Sequence, residues 1–182
     1  MNPAARAGWL LAAVLLGTPL RAEWRGFETP YDPERPAWQE AEVSLPAYPQ
    51  PANLVAFEVS AASRHRHYLD ASSLSVGPDG VVRYTVVVRT AGGAEQVFYE
   101  GMRCDTGEVK RYAFGRPGPT GGEWQPNRQA RWEAIPVRQA ASYQRELFYH
   151  YLCTVEGKAD LKAIHRYLRQ GGLYRDGEGG AR

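Results

Sequence analysis

Apolar and polar residues alternate along most of one central stretch of the chain, residues 81–89. A period of two residues predicts a β-strand with one buried face. The apolar side chains share one face and the polar ones the other: Val82, Tyr84, Val86 and Val88 against Arg83, Thr85 and Arg89. Gly92-Gly93, which follows, is typical of a two-residue hairpin turn, so we expect an antiparallel partner strand.

A two-residue turn also predicts the register of this hairpin. Thr90 would face Glu95, and the apolar pairs would be Val88 with Val97, Val86 with Tyr99, and Tyr84 with Gly101. The opposite face, with Arg83, Thr85, Gln96 and Glu100, should be wetter. Cys104 would fall on that wetter face, so we expect a β-bulge near Gly101 that shifts the phase.

Further strands and turns extend the hairpin on both sides. Asp105–Glu108 indicates a turn into a third strand, Val109–Phe114, so residues 81–114 form an antiparallel meander. Upstream we expect short strands at Leu54–Val59 and Tyr68–Leu69, the latter ended by a turn at Asp70–Ser73. Gly115–Gly122 is interpreted as a loop, and Trp124–Arg131 is polar with no clear period.

The last third of the chain changes to a helical period. Apolar residues recur at helical spacing in a first helix: Tyr143, Leu147, Phe148, Tyr151 and Leu152. A second helix is expected over Lys158–Gln170, with Leu161, Ile164 and Leu168 inward and Gly171 as its stop. The fold class is therefore α+β: a twisted antiparallel sheet covered by one or two C-terminal helices in a single domain.

The N-terminus has the layout of a secretory signal peptide. A basic start is followed by 11 apolar residues, Ala7–Gly17, and residues 18–22 end on Ala22, where we expect cleavage. The apolar run is shorter than the roughly 20 residues that a membrane-spanning helix needs, so we expect no stable span once the leader is removed. The protein is expected in the periplasm or associated with the outer envelope.

The remaining chain divides into three parts. Residues 23–52 are rich in proline and predict an extended arm, whose aromatic residues would lie against the domain. Residues 53–153 would form the sheet domain with its covering helix, and residues 154–182 a C-terminal helix and polar tail.

Charge and cysteine content narrow the function classes. Removal of the leader takes Arg6 and Arg21 from the 22 basic residues and leaves 20 against 20 acidic ones. This balance argues against nucleic acid as a partner. Cys104 and Cys153 are an even pair that we expect to form a disulfide after export; two free thiols or half of a metal site are the alternatives.

One cluster could carry chemistry. His65 and His67 lie on the same side of an extended backbone, a spacing that can serve a metal if His150, His165 or an acid supplies a third ligand. Together with Asp70 they would be the centre of an envelope hydrolase or metal-binding protein; a solvated polar loop is the simpler interpretation.

The other motifs that mark enzymes are missing from the sequence. It contains no Gly-x-Ser-x-Gly elbow, no phosphate-binding loop, no dinucleotide fingerprint and no His-Glu-x-x-His. We therefore assign no catalytic residue, no metal ligand and no cofactor, and expect a protein that is not an enzyme.

Aromatic residues supply the candidate binding positions. Trp124 and Trp132 fall in segments without a regular period, where flat rings could contact a glycan or a partner protein; capping of a small core is the alternative.

Four parts of the chain carry a family resemblance. These are the block Phe57–Phe114, the segment WQEAEVSLPAYP at Trp38–Pro49, the segment Trp124–Trp132, and the ending YHYLC at Tyr149–Cys153. Over residues 38–153 the chain resembles the cryptic-neisserial-protein-like family, exported proteobacterial proteins of uncharacterised function. The resemblance implies an envelope location and a single domain and brings no catalytic or ligand residues. We expect a non-enzymatic structural or binding module of the envelope, with an envelope protein or a glycan as partner.

Overall fold

The structure is a computed structural model. It describes residues 37–60, 63–118, 121–136, 138 and 142–171. The expected leader (1–22), the arm up to residue 36 and the polar tail (176–182) lie outside these residues.

Seven strands form one antiparallel sheet in the order β1-β2-β3-β4-β5-β6, and β7 also pairs with β5. Two helical segments follow the sheet in the chain, and the predicted α+β class is confirmed. The elements are a 3₁₀ turn Pro51–Asn53, β1 Leu54–Phe57, β2 Arg66–Val76, β3 Val82–Arg89, β4 Glu95–Arg103, β5 Glu108–Arg116, β6 Glu123–Pro126, β7 Glu133–Ala134, α1 Tyr143–Glu146, a π-helical segment Leu147–Leu152, and α2 Leu161–Gln170.

The main core lies between the sheet and the C-terminal helices. The even-numbered residues of β3 pack there against the π-helical segment and α2: Val82, Tyr84, Val86 and Val88 with Leu147, Tyr151, Leu152, Ile164 and Leu168. Cys104 and Cys153 form a disulfide that joins the end of β4 to the end of the π-helical segment, as predicted. None of the helices that the structure describes is both long enough and apolar enough to cross a bilayer.

The opposite face of the sheet is covered by the described part of the arm, residues 38–50. Trp38 donates its indole N–H to the Asp79 carbonyl oxygen at 3.0 Å, and the Ala41 N–H donates to the Asp79 carboxylate at 2.9 Å. Further along, Trp124 donates its indole N–H to the Pro46 carbonyl oxygen at 2.8 Å. Because this second layer excludes water, the prediction of a wetter face is wrong: Thr85 is 0% exposed and Arg83 6%.

The hairpin register differs from the predicted one by a single residue. Its loop has three residues, 91–93, closed by hydrogen bonds between Thr90 and Ala94, and Gly93 adopts a left-handed φ of +85°. The pairs are therefore Val88 with Gln96 and Val86 with Phe98, not with Val97 and Tyr99. A shift of one residue exchanges the two faces of a strand.

This shift also explains how Cys104 reaches the core. Met102, two residues before it, already faces the helices, so no bulge in β4 is needed. The irregularity lies in β5, where Tyr112 is the extra residue between the pairs Tyr99–Ala113 and Glu100–Arg111. The Tyr112 ring covers Gly101, where a Cβ atom would lie 2.5 Å from the tyrosine oxygen.

The predicted turn at Asp70–Ser73 is wrong, because β2 continues through it. Asp70 accepts hydrogen bonds from the Ser72 N–H at 3.0 Å and the Ser72 hydroxyl at 2.6 Å, and the pairing with β3 shifts between Asp70 and Ser75. The Asp and Ser residues of this segment, which are common in turns, here form a β-bulge within the strand.

Several element boundaries also differ from the prediction. β1 ends at Phe57, and α2 begins at Leu161 after the N-cap Asp160. β6 forms in the segment that showed no clear period, and β7 was not predicted.

Candidate functional site

The helix-side face of the sheet is open above β5. A hollow of about 300 Å³ lies there between β5, the start of α1 and the segment 127–133. Its lining is almost entirely polar: Glu100, Arg111, Asn127, Gln129, Arg131, Glu133 and Gln144, with Val109 and Phe114.

Glu100 is the buried centre of the hollow's floor, and its side chain is 1% exposed. Its Oε1 accepts hydrogen bonds from the Arg111 Nε at 2.9 Å and from the Tyr143 hydroxyl at 2.8 Å. Its Oε2 accepts one from the Tyr84 hydroxyl at 3.1 Å. A buried carboxylate is costly unless it is paired and hydrogen-bonded, and here both oxygens have donors.

The pKa values of the partner groups reflect this arrangement. Burial, followed by the Glu100 charge, raises the pKa of both Tyr84 and Tyr143 well above its usual value, so both phenols remain protonated donors. Burial alone would lower the pKa of Arg111, but Glu100, with Tyr143 next, outweighs burial and raises the pKa. The guanidinium is therefore held in its charged form.

Arg111 connects this network to the hollow. Its guanidinium lies over the Phe98 ring at 4.1 Å, and its Nη2 donates to the Tyr143 oxygen at 3.0 Å. The side chain is 33% exposed. Within the part of the chain that the structure covers, Nη1 has no hydrogen-bond acceptor, so this edge of the guanidinium is available to a ligand.

A second hollow, of about 740 Å³, adjoins the first. The two share Phe114, Asn127 and Gln129, and the second adds Gln125, Pro126 and Arg128. Phe114 lines both hollows and is 37% exposed, so part of its ring is accessible to a ligand in either hollow.

The predicted histidine cluster does not converge with Asp70. His65 is exposed and His67 buried, and both line a different pocket of about 490 Å³ at the β1–β2 end of the sheet. His67 pairs with Val88 on the helix side, whereas Asp70 pairs with Thr85 on the arm side. Burial, with His65 next, lowers the pKa of His67 and favours its neutral form.

The further histidines do not complete a metal site. His150 lies 3.4 Å from Glu146, and His165 lies on α2. Across the described ranges, three or more His, Cys, Asp or Glu side chains nowhere come together in a metal-binding group.

Trp124 and Trp132 both lie on the arm side of the sheet. Trp124 packs against Tyr48 and Tyr99 with ring centroids 5.5 and 6.0 Å apart. Trp132 contacts Trp38 at 5.9 Å and donates to the Glu40 carboxylate at 3.4 Å. The rings hold the arm in place, and a contact with a ligand stays a prediction.

The sequence contained one overlooked signal for the polar hollow. In the observed register Glu100 falls between Phe98 and Met102 on the helix-facing side of β4, where an isolated charge is unexpected. The wrong register had placed it on the wetter face.

Comparison with known proteins matches the chain to one family model and to no curated protein or solved structure. The model of the CNP1-like family matches residues 33–169, which is more than half of the chain. The chain therefore belongs to the CNP1-like family.

Proposed function

We propose that this protein is an exported, non-enzymatic binding module of the cell envelope, located in the periplasm or associated with the outer envelope. Its ligand-binding surface would be the polar hollow above β5, and its partner a glycan or an envelope protein. The alternative that uses His65, His67 and Asp70 has no geometric support, because Asp70 lies on the other face of the sheet.

The disulfide is the observation that supports export. Cys104 and Cys153 are 5% and 3% exposed, and their bond joins the sheet to the helical layer. Disulfides of this structural kind persist in oxidising compartments and are rare in the cytosol. The leader-like residues 1–22 point to the same destination.

The hydrogen bonds of Glu100 support a binding role without catalysis. A general base must accept a proton from a substrate, but both Glu100 oxygens already accept hydrogen bonds from Arg111, Tyr143 and Tyr84. The network instead fixes the Arg111 guanidinium in one orientation at the floor of the hollow, as a preformed binding site requires.

Export is tested by fusing residues 1–30 to an alkaline phosphatase that is active only where disulfides form. We expect activity in cells that carry the fusion and none with Leu11→Arg and Leu15→Arg, which interrupt the apolar run. An inactive fusion with the unaltered leader would contradict export.

Binding is tested by co-sedimentation of the exported chain with washed envelopes. We expect the protein to sediment with them, and Phe114→Ala to reduce the bound fraction while Tyr149→Ala, an exposed aromatic away from the hollow, leaves it unchanged. Failure of the unaltered protein to sediment would contradict a binding function.

A further inference from the structure

We infer that the two adjoining hollows form one site for an acidic oligosaccharide, in which a sugar ring lies on Phe114 and carboxylates meet Arg111 and Arg128. This inference rests on the proposed binding function and specifies its ligand.

The shape of the site favours a chain of linked units. Phe114, Asn127 and Gln129 line both hollows, so the two are neighbouring parts of one surface. A ligand that fills both must extend past Phe114 on each side. A single small molecule would occupy one hollow and leave the lining of the other uncovered.

The side chains around Phe114 suit a ligand rich in hydroxyl groups. Asn127 is fixed in place, because its Nδ2 donates to the Arg111 carbonyl oxygen at 3.0 Å and its Oδ1 accepts from the Gln129 N–H at 3.1 Å. Gln144 accepts from the Ser142 hydroxyl at 3.1 Å, which leaves its Nε2 as a donor. Amides and guanidinium groups around one aromatic ring can satisfy sugar hydroxyls while the ring contacts the apolar sugar face.

The charges favour an acidic sugar. The acids in the lining are Glu100, buried beneath Arg111, and Glu133, whose Oε1 lies 2.8 Å from the Arg131 Nε. Arg128 is exposed and makes no ion pair with any residue whose position is described. Net positive charge with free guanidinium edges is complementary to carboxylates.

A peptide fits this surface less well. Recognition of peptide side chains commonly uses apolar pockets that accept alternate residues of the peptide. The apolar residues of the two hollows are Val109, Phe114 and Pro126, and they form no such pocket.

The inference is tested by calorimetric titration of the exported chain with tetragalacturonate and, separately, with neutral cellotetraose. We expect the acidic tetramer to bind and the neutral one to bind at least about tenfold more weakly. Raising the salt concentration from about 50 to about 300 mM should weaken the acidic complex, because salt screens exposed charges.

Two surface substitutions locate the site. Phe114→Ala and Arg128→Gln should each weaken tetragalacturonate binding roughly tenfold, as expected for loss of about 1.4 kcal/mol. Tyr149→Ala and Arg169→Gln, an exposed aromatic and an exposed arginine elsewhere, are the matched controls and should bind as the unaltered protein does.

Three results would overturn the inference. The first is that tetragalacturonate does not bind, and the second is that both tetramers bind equally well. The third is that a poly-glutamate peptide binds more tightly than tetragalacturonate and that its binding depends on Phe114 in the same way. If any of these occurs while the protein still sediments with envelopes, the ligand class is wrong and the proposed function stands. If the protein also fails to sediment with envelopes, both the ligand class and the proposed binding function are contradicted.

Discussion

At the scale of single residues, the Asp79–Arg83 pair ties the arm to the sheet. Arg83 donates to both Asp79 carboxylate oxygens, at 3.1 and 2.6 Å, and to the Ala41 carbonyl oxygen at 3.4 Å. Burial would raise the pKa of Asp79, but the hydrogen bonds from Arg83 and from the Ala41 and Val81 N–H groups lower it from 3.8 to about 2. The charged carboxylate is therefore stabilised in the folded state.

This shift predicts how stability depends on pH. Because the folded-state pKa of Asp79 is lowered, its contribution of about 2 kcal/mol is present above the unfolded-state value of 3.8 and lost as the pH falls toward 2. Asp79→Asn should destabilise the protein by roughly 3 kcal/mol at pH 7, because it leaves Arg83 buried without a counter-charge. Because the variant lacks the Asp79 carboxyl, its free energy of unfolding should also fall less on acidification than that of the unaltered protein.

Urea unfolding at several pH values, followed by tryptophan fluorescence, measures both effects. Glu95→Gln is the control, because it removes an exposed ion pair with Arg89 and should cost less than about 1 kcal/mol. Equal acid sensitivity of Asp79→Asn and the unaltered protein would contradict the assignment.

At the scale of elements, the β3–β4 hairpin shows where sequence reasoning succeeded and failed. The alternation of residues 81–89 correctly predicted a strand, and Gly92-Gly93 correctly marked a reversal. The glycine pair did not reveal the length of the loop. Ala91, Gly92 and Gly93 form a three-residue loop, in which only Gly93 has the left-handed conformation, whereas the prediction assumed a two-residue turn at Gly92-Gly93. The additional loop residue shifts the register by one, which exchanges the two faces of β4. Glu100 was therefore predicted on the wrong face.

The two glycines provide a matched test of this loop. Gly93→Ala should destabilise the protein by about 1 kcal/mol, because an L side chain is strained at a φ of +85°. Gly92→Ala should be neutral or slightly stabilising, because Gly92 has no positive φ and no heavy atom within 4 Å of an added Cβ. Equal effects in urea unfolding would contradict the three-residue loop.

The arm is the second element that the sequence described only in part. Its prolines predicted an extended conformation and its aromatics predicted contact with the domain, and residues 38–50 show both. That it covers Arg83 and Asp79 at the start of β3 was not predicted, because contacts across about 40 residues leave no local pattern.

Trp124 is the position at which this attachment is tested. Trp124→Ala removes the hydrogen bond to Pro46 and the packing on Tyr48, and should cost about 2 kcal/mol. It should also speed cleavage by endoproteinase Glu-C after Glu40 or Glu42. Unchanged cleavage rates in Trp124→Ala, with Tyr149→Ala as reference, would show that the ring does not hold the arm.

At the scale of the whole molecule, the sheet lies between two unlike layers. The helices cover one face and are joined to it by the disulfide, and the arm covers the other through side-chain hydrogen bonds. The disulfide was predictable from an even pair of cysteines in a chain that we expect to be exported. The polar hollow was not, because it is lined by β4, β5, α1 and the segment 127–133, which only the assembled fold brings together.

The disulfide predicts a large response to reduction. The two cysteines are 49 residues apart, and on the chain-entropy model a loop of this length stabilises the fold by roughly 4 kcal/mol. Reductant should lower the free energy of unfolding by that order, and should have no effect on a Cys104→Ala, Cys153→Ala double variant. A loss below about 1 kcal/mol would show that the bond contributes little.

Intact mass spectrometry of the protein recovered separately from the periplasmic and cytosolic fractions tests the account most directly. The account predicts a chain that begins at Glu23 and is two hydrogen atoms lighter than its fully reduced form. A chain that retains Met1, remains in the cytosol and carries two free thiols would contradict it.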